Sequence, residues 1–340
     1  MKMREIAVGD AVVGLTLAYD LTGITPGKQK GAVLRRGHVL SESDLTILRD
    51  IGKSSIKILE LDPDEVHEDE GAESLARMLA GDGIVVNLPG EAWADLVATR
   101  TGLLRVDADR LRRLNLMDDL IIATRHDSSP VQAGGTVGRA KVRGLTVRQA
   151  VLDDARVIAE NSSRIMEVLP YRPVRAGAII TGREIYEGRK RDGFEPLLRR
   201  RVEEYGGTLV YMRIVRDEVT ELSEAITTAL AQDLDMLFVT GGGSPDDCTS
   251  ESIARSADEV VFHGVPVAPG AMTVLAYAHG VPIVSVPAGL LARPRGFMDL
   301  LLPRLLAGLR PTKEEAADYG HGGLCLQCDV CVFPDCAFGK

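Results

Sequence analysis

Short apolar runs separated by glycine and proline mark the first part of the chain, up to about Leu61. Residues 11–15 and 32–34 are two such runs, and residues 55–59 alternate as a half-buried strand does. Between them, Leu45 and Leu48 lie on one face of a short predicted helix that begins near residues 41–44. The pattern predicts a β-rich N-terminal segment.

The middle of the chain mixes strand-like and helix-like periodicity. Residues 84–86 and 120–122 are short apolar runs that predict strands. Residues 91–100, which include the single tryptophan Trp93, and residues 147–168 are predicted to be helical. Prolines at 170 and 173 end the second helix, so the clearest domain boundary is predicted at residues 169–174.

Beyond residue 174, strand-like and helix-like segments alternate regularly. Apolar runs that predict strands cover residues 177–181, 209–215, 236–239 and 283–286. One of the predicted helices covers residues 272–278. This alternation predicts an α/β fold, a three-layer αβα arrangement around a mostly parallel sheet. Ligands of such sheets bind at the carboxyl ends of the strands.

These patterns divide the chain into four predicted parts. They are a β-rich N-terminal domain (1–62), a mixed α/β middle region (63–170), an α/β ligand-binding domain (171–312) and a cysteine-rich tail (313–340).

Composition narrows the class of protein. The chain has 340 residues, 45% hydrophobic and 26% charged, with a formal net charge of −9. These values are typical of a folded globular protein, and the acidic balance argues against a nucleic-acid partner. The sequence contains no signal-peptide pattern and no run of 18 apolar residues, so we expect no membrane partner. Four of the five cysteines lie in the last sixteen residues, which indicates a cytoplasmic protein with one thiolate site.

A glycine-rich loop follows the predicted strand at residues 236–239. It reads Thr240-Gly241-Gly242-Gly243-Ser244-Pro245-Asp246-Asp247-Cys248-Thr249. Glycines let the backbone approach a ligand closely, and the amides of such a loop, with the following helix N-terminus, form an anion site. The two aspartates would suit phosphate only with Mg²⁺ between them. The alternative is a tight strand-to-helix turn capped by Asp247 or Thr249.

A second loop, residues 181–192, leaves the first strand of the same predicted sheet. Its basic residues Arg183, Arg189, Lys190 and Arg191 could pair with an oxyanion or could simply face solvent. Because both strands are parallel, the basic loop and the glycine loop are expected at one edge of the sheet, which favours an anionic ligand.

Several motifs in order resemble the molybdenum-cofactor biosynthesis domain over residues 175–309. They read Thr181-Gly182-x-Glu184-Ile185-x-x-Gly188 with Asp192, then Asp217, Asp235, Thr240-Gly241-Gly242, Asp246-Asp247-x-Thr249, His263-Gly264-Val265 and Pro269-Gly270. The domain occurs in molybdopterin molybdenumtransferases, molybdopterin adenylyltransferases and CinA-type proteins. Residues of the N-terminal segment, among them Thr25-Pro26-Gly27 and Arg36-Gly37-His38, resemble the front of shorter molybdopterin-binding proteins.

The resemblance implies a function and a set of site residues. It implies binding of molybdopterin or its adenylate, insertion of molybdate with Mg²⁺ nearby, a homodimer and a molybdoenzyme as a further partner. Asp246 and Asp247 would be the catalytic or metal-linked acids. The implied cofactor-binding residues are Thr181, Gly182, Glu184, Asp192, Thr240, Gly241, Gly242, Gly243, Ser244, Thr249, Pro269 and Gly270.

The chain departs from the family pattern at two turns. The Pro-Gly-Lys-Pro element reads Pro269-Gly270-Ala271-Met272, and the Pro-Gly-Asn-Pro turn reads Pro287-Ala288-Gly289-Leu290. The chain therefore lacks the lysine and the asparagine of the family pattern at these two turns. Three hypotheses stay open: a molybdenumtransferase-like enzyme, a non-catalytic molybdopterin carrier or metal/redox sensor, and a CinA-like nucleotide hydrolase.

The tail carries the last candidate site. Cys325, Cys328, Cys331 and Cys336 follow the pattern C-x2-C-x2-C-x4-C. Four thiolates this close can bind one soft ion or a cluster, and the first three resemble the start of a ferredoxin-type iron–sulfur motif. Zinc and free thiols are the alternatives. Cys248, in the glycine loop, is expected to be a small filler rather than a nucleophile.

Overall fold

The computed structural model describes residues 2–23, 31–90, 92–160, 164–241 and 247–340. The chain forms two compact units, Met1–Leu169 and Pro170–Lys340. Of the predicted site residues, Gly242, Gly243, Ser244 and Asp246 lie outside the described residues, as do Thr25, Pro26 and Gly27.

The N-terminal part of the first unit is rich in β-structure, as predicted. Its elements are β1 (Lys2–Ala7), β2 (Leu21–Gly23), β3 (Gly31–Leu34), α1 (Asp44–Asp50) and β4 (Ser55–Glu60). Strands β1 and β4 pair antiparallel, and so do β2 and β3. Leu45 and Leu48, on the inner face of α1, are buried with Leu17 and Leu21.

The rest of the first unit mixes helices and strands around a second buried core. Its elements are β5 (Glu65–His67), α2 (Glu68–Leu79), β6 (Ile84–Gly90), β7 (Trp93–Ala98), β8 (Gly102–Val106), α3 (Ala108–Asn115), β9 (Leu120–Thr124), β10 (Pro130–Val131), β11 (Thr136–Val142), β12 (Thr146–Arg148), α4 (Gln149–Ala159) and β13 (Met166–Pro170). The largest sheet has the order β6-β7-β11-β9.

Two helix predictions in this region are wrong. Residues 93–98 form strand β7, in which Ala94, Leu96 and Ala98 are buried and the residues between them are partly exposed. That alternation is the period of a strand, not of a helix. The long helix predicted at 147–168 is the shorter α4, followed by strand β13.

The second unit is built on one six-stranded sheet. Its elements are β14 (Arg175–Thr181), α5 (Arg183–Tyr186), α6 (Phe194–Glu203), β15 (Thr208–Val215), α7 (Val219–Leu230), β16 (Met236–Thr240), α8 (Thr249–Ser256), β17 (Glu259–His263), β18 (Val274–Ala278), β19 (Val281–Val286), α9 (Phe297–Leu306) and α10 (Lys313–Asp318). The strand order is β15-β14-β16-β19-β18-β17. The first four strands are parallel to one another. At one side of the sheet, β18 pairs antiparallel with β19, and β17 pairs antiparallel with β18.

The helix predicted at residues 272–278 is wrong, since strand β18 occupies this position. All five of its residues are buried, so its apolar run fits a helix and a fully buried strand equally well. Its antiparallel pairing with β19 and β17 decides between the two.

Alternating strand residues separate the second unit into layers. On β16, Met236 and Phe238 pack with α6 and α9, whereas Leu237 and Val239 pack with α7 and α8. Successive strand side chains point to opposite faces of the sheet. The predicted three-layer αβα fold is therefore confirmed.

No helix among the described residues is both long and apolar enough to cross a bilayer.

Candidate ligand site

Three neighbouring parallel strands of the second unit end together at one edge of the sheet. Thr181 ends β14, Thr240 ends β16 and Val286 ends β19. The Thr181 amide donates to Thr240 Oγ1 (2.9 Å), and the Thr181 hydroxyl donates to the Thr240 carbonyl (2.7 Å). The Gly241 amide donates to the Val286 carbonyl (3.1 Å). These bonds fix the point at which the glycine loop leaves the sheet.

Gly241 lies inside a ring of side-chain oxygens. Its φ is +116°, and a Cβ at this position would lie 2.3 Å from Thr249 Oγ1, 3.0 Å from Thr181 Oγ1 and 3.1 Å from Asp247 Oδ2. Only glycine fits this backbone conformation and this space. The structure thus brings together five of the predicted site residues: Thr181, Thr240, Gly241, Asp247 and Thr249.

The Asp247 carboxylate also orders the start of helix α8. Its Oδ1 accepts a hydrogen bond from the Thr249 amide (2.8 Å), and the Thr249 hydroxyl donates to the Thr240 carbonyl (3.3 Å). The strand-to-helix turn, which is the predicted alternative to a ligand site, is therefore present. The Oδ2 atom of Asp247 lies on the side of Gly241.

Cys248 is held as a neutral thiol beside this turn. Burial, and a hydrogen bond from its Sγ to Asp217 Oδ1 (2.9 Å), raise the pKa of Cys248 to about 12. A thiol with this pKa carries almost no thiolate near neutral pH, so it is a poor nucleophile.

Asp217 belongs to the site although it was not among the predicted site residues. It follows β15, another strand of the parallel set, and its carboxylate meets the glycine-loop segment at Cys248. Its position after a parallel strand was the signal available in the sequence.

The basic loop is less cationic than its sequence indicates. Both Arg183 and Arg189 pair with Glu187, at 2.8 Å and 2.7 Å. Gly182 has a φ of +139°, and a Cβ there would lie 3.4 Å from Glu184 Oε2.

Asp192, at the end of the basic loop, caps helix α6. Its two carboxylate oxygens accept hydrogen bonds from the Phe194 and Glu195 amides, at 2.8 Å and 3.0 Å. A carboxylate at a helix N-terminus is stabilised by the exposed amides and the helix dipole. The contacts of Asp192 are therefore those of a capping residue.

The Pro269–Gly270 turn lies at the start of helix α9. The Pro269 carbonyl accepts from the Phe297 amide (2.9 Å), and the Gly270 carbonyl accepts from the Thr273 hydroxyl (2.8 Å). Gly270 has a φ of +111°, and a Cβ there would lie 2.8 Å from Phe297 Cβ. Close packing on α9 explains this glycine.

The four tail cysteines lie apart from the glycine loop in sequence and line one cavity of about 260 Å³. Over the described ranges of the chain, no three His, Cys, Asp or Glu side chains are arranged to hold a metal ion.

Comparison with known families identifies the domain. Residues 177–307 match the family described as "Probable molybdopterin binding domain". The resemblance stated from the sequence is confirmed for this segment. Residues 5–60 match a second family, described only as a domain of unknown function.

Individual relatives also match part of the chain. A CinA-like protein of Mycobacterium marinum is 34% identical over 83 residues, which cover 24% of this chain and 20% of that protein. A CinA-like protein of Mycobacterium avium is 28% identical over 145 residues, covering 42% of this chain and 31% of that protein. The chain therefore matches between a fifth and a third of the length of these two relatives.

Among solved structures, the molybdopterin biosynthesis Mog protein of Mycobacterium ulcerans is similar at 23% identity. The match covers 38% of this chain and 91% of that chain, with a TM-score of 0.32.

Proposed function

We propose, from the membership of residues 177–307 in the family of probable molybdopterin binding domains, that the second unit binds molybdopterin at the carboxyl edge of its parallel strands. The observation that carries this proposal is the gathering of Thr181, Gly241, Asp247 and Thr249 at this edge, where the Gly241 backbone approaches the three side chains so closely that no Cβ fits. The hydroxyl hydrogens of Thr181 and Thr249 are donated to the Thr240 carbonyl, so each would turn away from that carbonyl to donate to a phosphate oxygen. The ligand is molybdopterin or its adenylate.

We further propose that the bound molybdopterin receives molybdate, as in a molybdenumtransferase. The chain's part in this step is to hold the two reactants in place, which is a contribution from positioning and electrostatics. Asp247 would contribute one carboxylate ligand to a Mg²⁺ ion, because carboxylate oxygens are ligands that Mg²⁺ prefers. When bound, Mg²⁺ would offset the negative charge of phosphate and molybdate. A homodimer and a client molybdoenzyme belong to the same proposal.

One observation favours a carrier or sensor without turnover as the second candidate. Ala271 stands where the family pattern has lysine, and Gly289 stands where it has asparagine. Neither position therefore offers a polar side chain to a ligand. A CinA-like nucleotide hydrolase is the third candidate, and the CinA-like relatives favour it.

Binding of molybdopterin by the full-length chain tests the site. We expect Gly241→Ala to weaken binding at least about tenfold, since the new methyl group would clash with Thr249 and displace the backbone at the start of the glycine loop. Gly280→Ala is the matched control: Gly280 has a φ of +82° but no atom within 4 Å of the added Cβ. Equal affinity of the two variants would refute the site, and no binding by the unmodified chain would refute the function.

A second pair of variants tests the Thr249 hydroxyl, and a thermal unfolding curve of each variant checks the fold. Thr249→Val keeps the volume and removes the hydroxyl, whereas Thr249→Ser keeps the hydroxyl. We expect weaker binding only for valine.

The three candidate activities differ in the release of AMP from adenylated molybdopterin. Release that requires molybdate indicates a molybdenumtransferase. Release without molybdate indicates a hydrolase, and binding without release indicates a carrier.

A further inference from the structure

The C-terminal segment that follows helix α10 folds around a cavity. All four tail cysteines line this cavity, whose volume is about 260 Å³. Cys325 and Cys336 are partly buried and pack against the core of the second unit, whereas Cys328 and Cys331 are exposed. The thiols therefore surround a space that is open to solvent on one side.

Backbone hydrogen bonds and apolar contacts hold this segment in place. The Cys325 amide donates to the Ala268 carbonyl, and the Ala268 amide donates to the Gly323 carbonyl, both at 2.9 Å. The Gly339 amide donates to the Gly322 carbonyl (2.9 Å), which closes the segment on itself. Phe338 is only 5% exposed. These contacts are made by the chain itself, so the four thiols are brought to one cavity before any metal binds.

The spacing of the thiols bears on which metal they bind. In a Cys₄ zinc site each sulfur lies about 2.3 Å from one ion, so the four sulfurs crowd around it. Here the thiols line a cavity of about 260 Å³ together with apolar side chains, and among the described residues no three of them are arranged around a single ion. An iron–sulfur cubane is bound by one thiolate at each of its four iron corners, so it keeps the thiolates farther apart than one ion does.

One cationic group lies in the cavity wall. The Arg295 guanidinium is 5.0 Å from the centre of the Phe333 ring and is paired with Asp299 (2.8 Å) and Glu204 (3.5 Å). Four thiolates and a cubane together carry net negative charge, and because the guanidinium is already paired it offsets only part of that charge. The short spacings Cys325-x2-Cys328-x2-Cys331 are also those of ferredoxin-type motifs.

We propose that Cys325, Cys328, Cys331 and Cys336 together bind one [4Fe–4S] cluster. This site is separate from the proposed molybdopterin site and does not depend on it.

Anaerobic reconstitution of the reduced full-length chain with ferrous iron and sulfide tests this proposal. We expect about four iron atoms and about four sulfides per chain, with a broad visible absorbance that dithionite bleaches. Cys331→Ser should lose most of the iron and the colour. Cys248→Ser is the matched control, because it removes the one cysteine outside the cavity, and it should keep both.

Three results would overturn the proposal. They are about two irons per chain, colour retained in Cys331→Ser, or a colourless chain that binds one zinc ion with four thiolates when offered zinc alone. Cys331 is exposed, so serine should not disturb the fold. A thermal unfolding curve of the metal-free variant checks this, and Cys328→Ser, also at an exposed position, gives an independent second test.

Discussion

At the carboxyl edge of the sheet, residues of one type differ in whether they only order a turn or also lie in the candidate ligand site. Asp247 orders the turn through Oδ1, which accepts from the Thr249 amide, and its Oδ2 lies beside Gly241 in the candidate site. Asp192 uses both of its oxygens to cap α6. The sequence shows two aspartates near two glycine-containing loops, and only the direction of each carboxylate tells their roles apart.

Cys248 gives a prediction at this scale. Its pKa of about 12 means that its thiolate, the form that reacts, is scarce at pH 8. We expect alkylation by iodoacetamide at pH 8 to be at least about a hundredfold slower than for a thiol of ordinary pKa. The rate should rise with pH until the pH approaches that pKa. Mass spectrometry of the peptide that contains residue 248 measures this rate.

Asp217→Asn is the control for this prediction. It removes the negative charge that helps to raise the pKa of Cys248, so the thiol should react faster at pH 8. Burial is the larger cause and stays in place, so the gain should be partial. Rapid alkylation of the unmodified chain at pH 8 would contradict the assigned environment of Cys248.

Whole elements differ in how far the sequence determines them. The regular alternation after residue 174 predicted the parallel strands β14, β15, β16 and β19, because each is a distinct apolar run between polar helices. Strand β18 was mistaken for a helix because five consecutive buried residues carry no periodicity. Strand β7 was mistaken as well, although Ala94, Leu96 and Ala98 alternate, because its small and charged residues also suit a helix. Pairing with other strands of the sheet, neighbours in the chain among them, decided both.

The position of a strand within the sheet sets the cost of changing it. Phe238 lies on the central strand β16 and is fully buried, whereas Met212 lies on the edge strand β15 and is 42% exposed. We expect Phe238→Ala to lower the free energy of unfolding by about 4 kcal/mol. Met212→Ala should change it by less than about 1 kcal/mol. Urea unfolding followed by far-UV circular dichroism compares them, and similar losses would refute the layer assignment.

At the scale of the whole molecule, the proposed functions lie in the second unit and follow from its topology. Parallel strands gather Thr181, Thr240 and Val286 at one edge, although more than 100 positions separate the first from the last in the chain. The sequence predicted that gathering, because parallel strands end at the same edge. It did not predict the cavity between the tail cysteines, since this depends on contacts of the tail with Ala268 and the core. Spacing alone left an iron–sulfur cluster and zinc nearly equal, with free thiols as a further alternative.

The two units have separate buried cores. The single tryptophan allows the unfolding of the two units to be measured separately. Trp93 lies in the first unit, with Arg139 and Lys141 against its ring at 5.6 Å and 5.3 Å from the centroid. Its fluorescence therefore reports on that unit, while circular dichroism reports on both. We expect Phe238→Ala, in the second unit, to leave the urea midpoint of the fluorescence change in place and to shift part of the dichroism change.

The converse variant completes this prediction. Leu96 is fully buried in the same strand as Trp93, so Leu96→Ala should shift the fluorescence midpoint to lower urea, at a cost of about 3 kcal/mol. The later part of the dichroism change should stay where it is in the unmodified chain. If each variant instead moved both signals by the same amount, the chain would unfold as one cooperative structure. Ligand binding to the second unit would then stabilise the first unit as well.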